Sequence, residues 1–218
     1  MNKCASIAAA VALLAATATP VAAVTLNPRG LGQVLLYPYY TVNKNQDTLL
    51  SVVNTSDAGK VMSVNVLEGY NGRFVLKFVL FLSAHDVWTA AISQTADGAK
   101  ISTPDHSCTY PTIPAAGQPL SAAAYTGASI APFNVPDSGP QTLARTREGH
   151  IEIAAIGDVV AGSATDHLIT HVQNGSPGGG LPPGCSALLA NGIPPDGDMV
   201  TPTNGLGGSA SIVNVGEG

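Results

Sequence analysis

Between Gln33 and Ile101 the apolar positions recur in short runs broken by turn-forming residues, the pattern of consecutive β-strands. Val61 to Leu67 alternates most cleanly, with Met62, Val64 and Val66 on one face and Ser63 and Asn65 on the other, which predicts a half-buried strand. Upstream, Val34 to Tyr37 forms a first run, and Tyr39 to Val42 continue it. Pro38 between them has no N–H for a ladder, so this segment belongs at an edge, at a bend or in a strand that changes sheets. Asn43 to Asp47 is a polar loop, Thr48 to Val53 the next strand, and Asn54 to Gly59 a cluster of turn formers. Asn71-Gly72, a strong hairpin dipeptide, precedes Phe74 to Leu82. That run is apolar except for Lys77, which predicts a strand buried on both faces or one covered by a partner. Val87 to Ile92 then pairs with Ala99 to Ser102 through Asp97-Gly98.

Beyond Pro104 the pattern dissolves into Pro, Ala, Gly, Ser and Thr. It resumes at His150 to Ile156, where Ile151 and Ile153 flank Glu152, and again at Asp166 to Val172, whose β-branched content suits a strand. A second Gly/Pro-rich coil covers 174–208, and Ser209 to Val215 reads as a last strand. The expected fold is an all-β antiparallel β-sandwich, immunoglobulin-like or jelly-roll-like, with long coil insertions. Its divisions are a leader at 1–23, core strands at 24–103, an excursion at 104–145 and further strands of the same domain at 146–218. A strand so close to the end suggests a chain truncated at its C-terminus.

Composition narrows the class. Of 218 residues 45% are apolar and only 11% charged, with 24 Gly and 16 Pro, which argues against both disorder and a helical bundle. The net charge of −5 comes without a basic cluster, so neither nucleic acid nor an anionic membrane is an expected partner. Residues 1–23 begin with Lys3, run through small apolar side chains from Ala5 to Ala16 and close on Val21-Ala22-Ala23. Val21 and Ala23 suit the positions three and one before a signal-peptidase cut. The run is shorter than the ~20 residues of a membrane span, and nothing later is long enough to be one. Export follows as the expectation, to the periplasm, the outer surface or the medium.

With Cys4 lost in the leader, Cys108 and Cys185 remain, most simply as a disulfide, with two free thiols as the alternative. Closing a loop of ~78 residues would stabilise the fold by roughly 4 kcal/mol at most. Other chemistry is sparse. Of five histidines (His85, His106, His150, His167 and His171), His167 and His171 are four apart and would share a face of a helix or a strand. With Asp166, or with His150 if the fold brings it close, they are weak metal-ligand candidates; the glutamate of an HExxH motif is missing. Asp57-Ala58-Gly59 and Asp196-Gly197-Asp198 are carboxylate-bearing turns below the ligand density of a calcium loop. No GxSxG elbow and no phosphate-binding glycine loop is present, and no cofactor is implied. Trp88, the only Trp, is expected in the core, with ligand stacking as its sharper reading; Tyr39 is a second stacking candidate.

Leu36 to Thr41, Asp47 to Ser56, Leu67 to Asn71, Asp86 to Ala90, Thr146 to Glu152 and Ser209 to Gly218 resemble an uncharacterised family of exported proteobacterial proteins. Members run well beyond this length, which agrees with truncation and implies no activity. The strand-Asn-Thr-Ser-turn-strand rhythm is also similar to bacterial immunoglobulin-like modules. The functional expectation is an exported, non-enzymatic β-sandwich with a structural or interaction role at the cell envelope, meeting envelope or surface proteins or glycans. The alternative is a secreted hydrolase or carbohydrate-binding module, marked by a cleft that gathers Trp88, the tyrosines at 37, 39 and 40, and acidic residues.

Overall fold

A computed structural model describes residues 30–128, 134–171, 182, 184–188, 194–195 and 197–216. The expected leader at 1–23 and part of the expected 174–208 coil lie outside the described residues. The architecture is all-β: two antiparallel sheets packed as a sandwich. One sheet has the order β1(Val34–Thr41)-β9(Glu148–Val159)-β3(Lys60–Glu68)-β4(Phe74–Leu82)-β7(Thr109–Tyr110), with β10(Met199–Val200) also on β9. The other has the order β11(Leu206–Asn214)-β2(Gln46–Asn54)-β5(Val87–Gln94)-β6(Ala99–Ser102)-β8(Gln118–Pro119).

Alternation builds the core. Met62, Val64, Val66, Phe78, Leu80, Ile151 and Ile153 face Leu50, Val52, Trp88, Ala90, Ile92 and Ile101, all buried in one cluster. Strands from before and after the excursion therefore share one interior. Burying a side chain of this size stabilises by roughly 1.5–3 kcal/mol, so this layer dominates the stability of the fold.

Two local expectations change in the structure. The segment expected as a strand at 166–172 is a short helix, α2(Ala164–Ile169), the first being α1(Ala123–Thr126). Ser163 decides it: its hydroxyl accepts from the Asp166 N–H and caps the first turn, outweighing the β-branched content. β4 is not buried on both faces throughout. Phe74 and Lys77 are exposed, and only Leu80 to Leu82 are closed on both sides. There, Phe81 joins Val61, Cys108, Val159, Ile169 and Leu188 in a second, smaller core on the outer face of the sheet. The covering elements are α2 and α3(Cys185–Leu188), and the Cys108–Cys185 disulfide anchors α3 there across 77 residues of sequence.

β1 is the bent edge strand that Pro38 predicts. Simple alternation cannot place Tyr37 and Tyr40 on one face, yet both are core residues. The ladder to β9 shifts register between Tyr37 and Tyr40, around Pro38, so the strand turns both rings inward and leaves Tyr39 outside. The Tyr37 hydroxyl donates to the Ser51 carbonyl of the other sheet (2.7 Å), and burial raises its pKa to about 12.

Candidate functional site

β3 carries a buried charge at each end, Lys60 at its first residue and Glu68 at its last, both 0% exposed. At ~3.3 Å per residue the two lie about 26 Å apart. Neither charge survives desolvation alone, so each end of the strand collects opposite charge and polar partners.

At the Lys60 end the partner is its ladder neighbour on β9. Lys60 Nζ lies 2.6 Å from Asp158 Oδ1 and donates to the Thr203 carbonyl at 3.1 Å. The Thr203 N–H (3.0 Å) and hydroxyl both donate to Asp158 Oδ2. This closed set ties the approach to β11 onto the first sheet.

At the Glu68 end the turn after β3 wraps the carboxylate. The N–H groups of Tyr70 (2.6 Å), Asn71 (3.3 Å) and Arg73 (2.8 Å) donate to it, aided by Gly72, which takes φ +71° as the turn requires. Arg145, from a 3-10 turn at Leu143–Arg147, completes the shell with Nε to Oε2 at 2.8 Å and Nη2 to Oε1 at 3.0 Å. The same guanidinium grips Asp137 in a second fork, Nη1 to Oδ1 and Nη2 to Oδ2, both at 2.7 Å. Nη2 also donates to Asn71 Oδ1 (2.6 Å), and Nη1 reaches the Pro140 carbonyl (3.4 Å). Every N–H of the guanidinium is used. Close strand contact makes room for this cluster: a Cβ on Gly149, opposite Glu68 on β9, would lie 1.9 Å from the Leu67 carbonyl oxygen.

These bonds set the charge states. Burial pushes Glu68 up, but the Arg145 fork and the three backbone donors outweigh it and hold the carboxyl below its ordinary range. The Arg145 hydrogen bonds hold Asp137 well below its own, and Arg145 is driven further toward the cation by Asp137 and then Glu68. A carboxylate so held does not deliver a proton near neutrality, and a guanidinium so filled has no donor for an anionic ligand. The cluster positions its neighbours.

Those neighbours are aromatic. The guanidinium carbon lies 4.3 Å from the centroid of Tyr125 and 4.9 Å from that of Tyr70. Since the carboxylates and Asn71 occupy the edges of the plane, the two rings take its two faces. Tyr125 is buried and donates to the Thr142 carbonyl (2.9 Å), whereas Tyr70 is 62% exposed. Tyr70 borders a groove of about 340 Å³ with Asn43, Gly69, Pro140, Thr142, Ala144, Arg145 and Glu148. Glu148, at the start of β9, receives the Tyr39 hydroxyl (3.1 Å) and the Asn43 amide (3.3 Å), both on Oε2.

The residues singled out from sequence are dispersed. Trp88 is not a ligand platform: it is 0% exposed and packs 5.8 Å from Phe78, because the inward positions of β5 face the core. Tyr39 is 48% exposed and stands beside the groove through Glu148. Asp166 and His167 lie on α2, but the helix ends at Ile169, so His171 falls outside the i, i+4 face. His171 Nε2 instead lies 3.4 Å from Asp86, and Asp166 accepts from the Gly162 N–H (2.9 Å). His150 lies 3.7 Å from Glu152 on β9. Among the described residues no group of three His, Cys, Asp or Glu side chains is placed to hold a metal ion. Asp57 pairs with His85 (2.8 Å), and Asp198 accepts from the Thr165 N–H and hydroxyl. Asp196 lies outside the described residues.

Arg145, Asp137 and Tyr125 carry no motif, and sequence reasoning passed over them. Glu68 and Tyr70 entered only inside the Leu67–Asn71 segment of the resemblance, with no role attached. No known family model matches the chain, and no curated protein matches it.

Proposed function

We propose that this chain is an exported, non-enzymatic β-sandwich that serves as a structural or interaction module at a bacterial cell envelope or surface, where envelope proteins or glycans are its partners. The observation that carries this reading is the saturated Arg145 cluster. The strongest concentration of charge beside a groove is spent on fixing side chains, and it leaves an exposed tyrosine and a solvent-facing carboxylate as the groups that meet the outside. The Cys108–Cys185 disulfide supports a destination in an oxidising compartment. No helix among the described residues is long and apolar enough to cross a membrane.

Fractionation of cells carrying the full chain, with thiol alkylation before lysis, tests the reading. The expected result is protein in the periplasm, outer membrane or medium, shortened by the leader and refractory to alkylation. Full-length, alkylatable protein in the cytoplasm would overturn it.

A further inference from the structure

We propose that the groove beside Tyr70 binds an uncharged saccharide, one pyranose unit of which stacks on the Tyr70 ring. The proposal deepens the interaction-module reading and rests on it. The stack supplies the first argument. Tyr125, Arg145 and Tyr70 form a column whose base is buried and whose top ring is exposed. The underside of Tyr70 is held by a cation that two carboxylates immobilise, and its backbone N–H is tied to Glu68. A ring oriented before any ligand arrives loses little freedom on binding, and an exposed tyrosine suits the C–H face of a sugar.

The rest of the groove decides the ligand class. Its volume, about 340 Å³, lies at the small end of the ~300–1,000 Å³ found for small-molecule sites. An anion is disfavoured, since Arg145 has no donor to spare and Glu68, Asp137 and Glu148 outnumber it. Besides the Tyr70 ring, an apolar side chain or an acyl chain finds only Pro140 and Ala144 to lie against, too little to bury it. Hydroxyl groups do better. Glu148 offers a carboxylate braced by Tyr39 and Asn43 through one oxygen, and Thr142 lines the same groove. One aromatic face surrounded by oriented acceptors is what a neutral sugar ring requires.

Calorimetric titration of the full chain with laminarin, mannan and chitohexaose as neutral probes, and polygalacturonate as the anionic one, tests this. Binding is expected to at least one neutral probe and not to polygalacturonate. Tyr70→Ala should weaken it about tenfold, Tyr70→Phe should retain it and Glu148→Gln should weaken it several-fold. Glu148 is exposed and outside the Arg145 cluster, so the last variant keeps the test informative if Tyr70→Ala fails to fold. The proposal is overturned if no neutral probe binds, if polygalacturonate binds more tightly, or if the folded Tyr70 and Glu148 variants bind like the parent. Exported protein that binds none of the neutral probes would sink this groove alone. Cytoplasmic protein that binds them would sink export and leave the groove standing.

Discussion

The two ends of β3 solve the same problem differently. Each buries a charge, and each uses the partner to fasten a distant segment to the sandwich: Thr203 and the approach to β11 at the Lys60 end, Asp137 and the 3-10 turn at the Glu68 end. Lys60 closes its end with nothing left over, a fastening and no more. At the other end the planar guanidinium uses its edges for carboxylates and its faces for aromatic rings, so the fastening also presents an oriented ring to solvent. An ammonium has no faces to offer. The choice of cation is thus what separates a simple lock from a lock that builds a surface.

Removing each cation measures the difference. Arg145→Met strands Glu68, wholly buried, and releases Asp137, so a loss of about 4 kcal/mol in urea denaturation is expected, within the range for a broken buried pair. Lys60→Met should cost less, about 3 kcal/mol, because Asp158 keeps both Thr203 donors. If Lys60→Met proves the more damaging, the ranking of the two ends is wrong. If Arg145→Met costs under about 1 kcal/mol, the cluster is not buried as described.

The smallest effect is read by pH at the Glu68 end. Glu68 and Asp137 are held below their ordinary values in the folded protein, so below about pH 4 the unfolded chain takes up protons first. Their contribution is complete above the unfolded values and is lost as pH falls through the folded ones. Denaturation midpoints measured from pH 6 down to pH 3 should therefore drop, and Asp137→Asn should flatten the drop. Parallel curves for variant and parent would show that Asp137 does not contribute to the linkage.

Much of the sandwich was legible because alternation is a local signal. Met62, Val64 and Val66 face inward wherever the strand is put, and Asn71-Gly72 turns the chain whatever follows. Where a local signal had a local competitor, the reading failed, as when the Ser163 cap made a helix of β-branched sequence. The disulfide was legible by elimination, on the expectation that Cys4 leaves with a leader.

Alternation between neighbours a few residues apart is enough to place most of the strands and their inward faces. The site depends on contacts that only the folded sheets create. Glu68 and Arg145 stand 77 residues apart and Lys60 and Asp158 stand 98 apart, and no periodicity reaches that far. Which buried charge meets which depends on strand order and register, and desolvation enforces the pairing only after the sheets have formed. Tyr70 is one tyrosine among six until Arg145 lies beneath it.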